Sequence, residues 1–384
     1  AEVILNLNAS PYHQGKQQER ENILRQRVTE AGVPILYVNQ VGGQDELVFD
    51  GASFVIDHEG QVTQLSPAFA EDLAIVELVR AADEQRKVVP QKGGVAPPMD
   101  ELAEIYQALV IGVRDFVQKN GFKGAVIGLS GGIDSALTLA IAADALGGEN
   151  IEALLMPSRY TSDMSNEDAI LEADALHVPY HMISVEPIFK AFLHSLEPVF
   201  KDAPPTVWDT TEENIQARSR GVLLMALSNR KGKMLLTTGN KSEMAVGYAT
   251  LYGDMAGGYA VLKDVSKILV YRLSEYRNSV SPVIPRRVID RPPSAELRAD
   301  QKDSDSLPDY AILDAILEMY IEQDKCLNDI VSAGYEEETV RKVIKMVNQN
   351  EYKRRQAAPG IRITKRAFGR DRRYPITSGF IRKH

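Results

Sequence analysis

Thiols are nearly absent from this chain: 384 residues contain one cysteine, Cys326. That excludes an intrachain disulfide framework and a cysteine-rich zinc centre, and it predicts a reducing compartment, the cytoplasm. No apolar run approaches the roughly 20 residues needed to cross a bilayer, so no membrane partner is expected. The start lacks the basic-then-apolar pattern of a secretory signal. Six histidines are present, and none can be assigned a catalytic role. The Walker pattern G-x-x-x-x-G-K-[ST] does not occur. With 44% hydrophobic and 25% charged residues, the composition is that of an ordinary globular protein, and the length predicts one to three domains.

Charge is unevenly spread along the chain. The net charge is −9, yet residues 351–384 hold eleven Lys/Arg against two acids, a local +9, so the remainder carries −18. A basic tail suits nucleic acid or a flap that closes on phosphates. The acidic remainder argues against broad nucleic-acid binding.

Residues 1–7 read as a strand, 17–31 as a helix, 34–39 as a second strand, and 47–57 with 61–65 as a hairpin around His58-Glu59-Gly60. This stretch is too short to bury both faces of a sheet alone, so it reads as the back half of a domain. Residues 87–99 are dense in Pro and Gly, show no period and read as a linker. Helices are then predicted over 100–120, 136–146, 166–176 and 211–231, and strands over 125–129, 151–156, 180–185 and 234–237. Alternation of this kind predicts a doubly wound parallel sheet, with ligands at the carboxyl ends of its strands. Residues 281–308 read as a loop, and 309–324 and 336–349 as amphipathic helices. The segments around 158–166 and 202–212 have lid-like composition.

The most informative stretch is Ser130-Gly131-Gly132-Ile133-Asp134-Ser135, set between an apolar strand and a helix. Such a turn aims backbone N–H groups at one point, and the helix N-terminus adds positive charge there. The result is an anion site suited to pyrophosphate. Asp134 puts a carboxylate beside the phosphates, where a bridging cation such as Mg²⁺ makes it favourable. The stretch resembles the pyrophosphate loop of the ATP pyrophosphatase superfamily, whose members cleave ATP between its α- and β-phosphates and adenylate a substrate oxygen.

Thr237-Thr238-Gly239-Asn240-Lys241-Ser242-Glu243 ends a strand and opens a helix. Thr238 can bond a nucleotide and Glu243 can join Asp134 on one Mg²⁺. Taken alone, an ordinary N-cap turn explains this stretch better. Asn214, Arg218 and Gly221 share one helix face, which fits a planar or anionic ligand, although taken alone a solvated helix with a capping Thr explains them better. Lys263 and Lys267 offer cations for a triphosphate, and Ser294, in the turn Pro292-Pro293-Ser294-Ala295-Glu296-Leu297, can bond a nucleotide.

In this order the motifs resemble those of NAD⁺ synthetase. Tyr248-Ala249-Thr250-Leu251-Tyr252-Gly253-Asp254-Met255 and Tyr352-Lys353-Arg354-Arg355 belong to the same pattern. The segment Asn6-Leu7-Asn8-Ala9-Ser10-Pro11-Tyr12-His13-Gln14-Gly15-Lys16 is similar to the nitrilase-like glutaminase half of the glutamine-dependent bacterial form. The resemblance spans essentially the whole chain. It implies an α/β fold with a doubly wound parallel sheet of the ATP pyrophosphatase (adenine nucleotide alpha hydrolase-like) type in 100–384. A partial nitrilase-like α/β domain would precede it in 1–86, and 87–99 would link the two.

The resemblance also implies roles. Ser130, Gly131, Gly132, Ile133, Asp134 and Ser135 would hold the ATP phosphates. Thr238, Lys267 and Ser294 would complete the ATP site, and Asp134 and Glu243 would hold Mg²⁺. Asn214, Arg218, Glu243 and Lys353 would face deamido-NAD⁺, and Ser130, Asp134 and Lys267 would carry the catalysis. Glu243 is claimed by both metal and dinucleotide, and that division stays open. The implied reaction is a ligase reaction: amidation of deamido-NAD⁺ to NAD⁺ through an acyl-adenylate, with release of AMP and pyrophosphate. Ammonia comes from glutamine in the family, whose members commonly form homo-oligomers, dimers or larger.

The chain departs from the family at one point. The glutaminase half uses a Glu, a Lys and a nucleophilic Cys, all before the segment matched here. Cys326 lies elsewhere, in a helical stretch, and reads as a buried structural thiol. Free ammonium is therefore expected as this chain's nitrogen source. A GMP or asparagine synthetase relative would lack the Asn214/Arg218 and Thr238/Glu243 sets in this form. A tRNA-thiolating relative would need thiols. A chain that binds nucleotide without turnover is the non-enzymatic alternative.

Overall fold

The computed structural model describes residues 1–81, 87–201, 203, 209–298 and 301–379. The chain forms two compact units, Ala1–Phe116 and Val117–His384. Among the described residues no helix is long and apolar enough to cross a membrane.

In the first unit, β1 (Ile4–Asn8) passes through α1 (Lys16–Ala31) to the parallel strand β2 (Ile35–Asn39). β3 (Val41–Gln44) and β4 (Leu47–Asp50) form an antiparallel ribbon. β5 (Phe54–Ile56) and β6 (Val62–Leu65) complete a sheet of order β1-β2-β5-β6. Leu24 and Val28 of α1 pack on Ile35, Tyr37, Phe54 and Ile56. The single strand expected over 47–57 is in fact two. Gly51 and Ala52 adopt left-handed φ values of 65° and 48°, and the chain turns there from ribbon into sheet. A buried, forked ion pair pins this turn, with Arg20 donating to both oxygens of Asp50 at 2.6 and 2.7 Å. Within the expected linker, β8 (Val88–Pro90) pairs antiparallel with β7 (Leu78–Arg80). Residues 82–86, the end of the expected first domain, lie outside the described residues. Helix α2 (Glu101–Lys119) runs across the division between the units.

The second unit opens with β9 (Ala125–Gly128), α3 (Ile133–Leu146), β10 (Ile151–Leu155), α4 (Asp163–Ala175) and β11 (Tyr180–Met182). It continues with α5 (Glu186–Phe200), α6 (Thr211–Lys231), β12 (Met234–Thr237), α7 (Lys241–Val246) and β13 (Tyr259–Ala260). All five strands are parallel, in the order β11-β10-β9-β12-β13. This is the doubly wound sheet that the alternation predicts. β10 and β12 are buried along their whole length, which is why they read as continuous apolar runs. Leu154, Met156 and Val185 pack against Leu223, Leu224 and Leu227. The strand order reverses between β9 and β12, so their carboxyl ends frame a crevice.

Helices α8 (Lys267–Val280) and α9 (Arg286–Asp290) follow, then α10 (Tyr310–Leu317), α11 (Leu327–Ser332), α12 (Glu337–Gln349) and α13 (Glu351–Arg354). The helix expected over 309–324 ends at Leu317 and widens into a π-helical turn, Glu318–Glu322. α5 and α8 have no counterpart among the sequence-based expectations; prolines at 187 and 198 disguise α5. Residue 202 and residues 204–208, in the second expected lid, lie outside the described residues, as do 299–300 in the expected loop and 380–384 in the basic tail.

Two expectations change. Cys326 is not inside a helix and not buried: it is the exposed N-cap of α11, and its N–H donates to Asp329 at 3.1 Å. The basic tail is docked where it is described. Arg354 donates to the carbonyl of Ala245 at 2.6 Å and lies 4.6 Å over Phe368, and Arg372 lies 4.9 Å over Tyr374. These guanidinium groups serve packing.

Glu172 of α4 is fully buried, and neither carboxyl oxygen has a hydrogen-bond partner among the described residues. Burial holds its pKa well above the ordinary carboxylate range, with Arg277 opposing and Asp168 adding. A carboxyl whose folded-state pKa is raised stabilises fully below its unfolded value. That stability is lost as pH rises toward the folded value. Glu172→Gln should therefore melt ever higher relative to the parent as pH rises above the ordinary carboxylate range, by at most about 1.4 kcal/mol per pH unit. A pH-independent difference in Tm would contradict this.

Candidate active site

The pyrophosphate-type loop sits at the carboxyl end of β9. α3 starts at Ile133, three residues earlier than the sequence suggests, because Gly132 is extended (φ −89°, ψ 160°) and serves as N-cap. Gly131 has φ 76°, and a Cβ there would lie 2.1 Å from the carbonyl oxygen of Ser165. Only glycine fits. Ser130 Oγ accepts from Gly132 N at 3.2 Å and lies 3.0 Å from Ser135 Oγ, which donates to Gly132 O at 2.9 Å. The two serines thus brace the loop. Ile133, Asp134 and Ser135 supply the helix's unsatisfied first-turn N–H groups, and all three lie on the cavity wall.

Arg291 ties the next wall to this loop, donating to Gly131 O at 2.6 Å and to Ser165 Oγ at 2.8 Å. Glu296 accepts from Ser165 Oγ at 2.8 Å and from Ser162 Oγ at 3.2 Å. Ser294 is on the wall, with its hydroxyl donating to Gln301 O at 2.6 Å.

The second motif sits beside the first, at the carboxyl end of β12. Asn240 caps α7 and forms a capping box with Glu243. Its Nδ2 donates to Asp134 Oδ1 at 2.8 Å. Lys267, at the start of α8 and 1% exposed, donates to Asp134 Oδ2 at 2.5 Å and to Glu243 Oε1 at 3.2 Å. Burial alone would lower the Lys267 pKa, but the two carboxylates hold it above its ordinary range. Burial pushes the Glu243 carboxyl up, against the pull of Lys267. The oxygens of Asp134 and Glu243 therefore converge on one cation.

These groups border a cavity of about 320 Å³ lined by residues from 128 to 358, within the size range of small-molecule sites. Thr238, Ser294, Glu243 and Lys267 all lie on its wall. Asn214, Arg218 and Lys353 converge on the segment 247–251. Thr250 Oγ1 donates to Asn214 Oδ1 at 2.9 Å, Arg218 Nε donates to Leu251 O at 3.1 Å, and Lys353 Nζ donates to Gly247 O and Ala249 O at 2.7 and 2.8 Å. Tyr248 and Ala249 of that segment line the cavity, so these three residues stand behind its wall. Burial lowers the Lys353 pKa against the pull of Asp254, and burial pushes Asp254 up to about 6.

Sequence reasoning missed Asn240, Arg220, Asp303 and Tyr310 as members of the site. The spacing Asn240-x-x-Glu243 is a capping-box signal that could have flagged Asn240. Asp303 falls in a stretch that reads only as loop, and nothing local marks it.

This pairing of a pyrophosphate-type loop with a second strand-end motif has close parallels. The sequence signature of the NAD synthase family, described as NAD synthase, matches residues 105–357. The chain belongs to the NAD synthase family. A second signature, carbon-nitrogen hydrolase, matches residues 1–87. The glutamine-dependent NAD(+) synthetase of Acinetobacter baylyi is 55% identical to the chain over 381 residues, covering 99% of it and 69% of that protein. The Thermotoga maritima glutamine-dependent NAD(+) synthetase is 46% identical, covering 98% of this chain and 70% of that protein. The solved Acinetobacter baumannii glutamine-dependent NAD⁺ synthetase, in complex with ADP, superposes with a TM-score of 0.71 at 50% identity, covering 99% of this chain and 68% of that one. Membership in the NAD synthase family accounts for both strand-end motifs lying in one crevice.

Asn240→Ala removes the α7 cap and the donor to Asp134 together. It should destabilise the second unit by about 2 kcal/mol, read as a lowered urea midpoint with unchanged m-value. A loss below about 0.5 kcal/mol would show that the cap is dispensable.

Proposed function

We propose that this chain amidates deamido-NAD⁺ to NAD⁺ with ATP, as a C–N bond-forming ligase releasing AMP and pyrophosphate. The observation that carries this reading is the meeting of the Ser130–Ser135 loop with the Asp134–Lys267–Glu243 cluster on one cavity wall. The nicotinate carboxylate attacks the α-phosphorus, pyrophosphate leaves, and an acyl-adenylate forms. Ammonia then attacks the acyl carbon and AMP departs. The first step brings anion to anion, so preorganised positive charge is what the site must provide. Backbone N–H groups of the Ser130–Ser135 loop, the α3 N-terminus and Lys267 provide it. Thr238 and Ser294 complete the ATP site, and Asn214, Arg218 and Lys353 hold the wall that faces the dinucleotide.

Mg²⁺ fits the carboxylate pair. Asp134 and Glu243 already converge on a single cation, the Lys267 ammonium. Mg²⁺ is characteristically held by one or two carboxylates, with phosphate oxygens and water completing the set. Among the described residues no group of three or more His, Cys, Asp or Glu side chains is arranged for a metal, so phosphate oxygens and water would complete the set around this pair. When bound there, Mg²⁺ neutralises the charge of the phosphates. Glu243 is assigned to the metal rather than to the dinucleotide, because its carboxylate shares Lys267 with Asp134.

We take 1–86 as a partial nitrilase-like domain, 87–99 as a linker and 100–384 as the synthetase domain, working in the cytoplasm as a homo-oligomer. Ammonia is the nitrogen that reaches the acyl-adenylate, supplied to the synthetase site as free ammonium in the assay below.

The test is formation of AMP and NAD⁺ from ATP, Mg²⁺ and deamido-NAD⁺, with ammonium and separately with glutamine. Ammonium should support turnover, and product from glutamine as well would show that amide nitrogen also reaches the site. Asp134→Asn and Lys267→Met should each lower the rate by about 10²–10³. Full activity in either variant would refute the assigned roles, and product with neither nitrogen source would refute the function.

A further inference from the structure

Asp303 opens a short 3₁₀ turn, Asp303–Asp305. It is 4% exposed, yet it lies on the cavity wall. Its two oxygens have different fates. Oδ2 accepts from the Tyr310 hydroxyl at 2.8 Å. Oδ1 is buried and has no hydrogen-bond partner among the described residues. A desolvated carboxylate oxygen without a donor is costly, and native structures keep few of them. A ligand that brings its own donor resolves the cost.

The surroundings narrow that ligand. Lys267 is committed to Asp134 and Glu243, at 2.5 and 3.2 Å, and stands 5.4 Å over the Tyr310 ring. The charge of Asp303 acts on both Lys267 and Glu243, so Oδ1 sits in an acidic neighbourhood. That excludes phosphate as its occupant. A ribose diol binds a carboxylate best through both oxygens, and only one is free here. A single negative oxygen beside tyrosine rings suits a small cation that carries N–H donors. Among the substrates of the reaction proposed above, only ammonium has both positive charge and N–H donors.

We propose that Asp303, through Oδ1, is the residue that receives ammonium in the synthetase cavity, with Tyr310 fixing the carboxylate from the other side. This rests on the proposed function. Asp303 touches the nitrogen substrate; Tyr310 is a positioning residue acting through it.

Asp303→Asn tests this with little change of shape. The amide oxygen still accepts from Tyr310, but an N–H₂ group replaces the free oxygen and repels ammonium. Three readings are taken on the full chain. The first is pyrophosphate exchange into ATP with deamido-NAD⁺ and Mg²⁺, which needs no nitrogen substrate. The second is NAD⁺ formation as a function of ammonium concentration. The third is acyl transfer to hydroxylamine, which is uncharged at neutral pH. Exchange, the KM for ATP and the hydroxylamine reaction should persist. The KM for ammonium should rise roughly 10- to 100-fold. Tyr310→Phe should raise it by less. Loss of exchange in Asp303→Asn would overturn the proposal by assigning Asp303 to the nucleotide. An unchanged ammonium KM, or equal losses with ammonium and hydroxylamine, would overturn it too. No exchange in the parent protein would instead refute the proposed function, and this inference with it.

Discussion

A buried ammonium shared by two carboxylates organises the second unit. Lys267 comes from the start of α8, Asp134 from the first turn of α3 and Glu243 from the first turn of α7. Separating any one of them would leave an unpaired charge in a desolvated place, a loss of roughly 3–5 kcal/mol. The three helices are thereby held in a fixed relation at the point where the strand order reverses. The same pair of carboxylates sets the charge that a phosphate-bearing ligand meets on entry.

The start of α7 spreads this constraint outward. Four consecutive side chains, Asn240 to Glu243, reach five different partners. Asn240 donates to Asp134. Lys241 is fully buried against Asp264 at 2.8 Å and Glu322 at 2.6 Å. Ser242 donates to Asp314. Glu243 accepts from Lys267. Asp264 in turn accepts from the backbone of Ile363 and Thr364 at 2.9 and 2.8 Å. One short helix therefore connects the pyrophosphate-type loop to the docked C-terminal segment. Groups held this way need little reorganisation when charge develops in a transition state, which is the condition for strong electrostatic catalysis.

The acidic cast of the cavity has a chemical use. Asp134, Glu243 and Asp303 would be unfavourable neighbours for a triphosphate by themselves. On the function and ammonium site proposed above, a divalent cation on one side and an ammonium ion on the other would let substrates of opposite charge share one crevice.

The amino-acid sequence determined the sheet, the loop and the second motif. Alternating apolar runs and helical periods dictate parallel strands, and Ser-Gly-Gly-Ile-Asp-Ser between strand and helix can form little else but a tight anion-binding turn. These are local consequences of periodicity and backbone sterics, so they are legible in one dimension. The tertiary structure decided the rest. Cys326 came out as an exposed cap because its neighbours, not its own polarity, set where α11 begins. Asn214, Arg218 and Lys353 lie 139 positions apart at the extremes, yet all three hold the one segment 247–251. Asp303 gains its meaning only from its place in the cavity wall, with Tyr310 bonding one of its oxygens and the other buried without a partner among the described residues. Contacts between residues far apart in the chain carry no local signature, because burial and partner choice are properties of the packed fold.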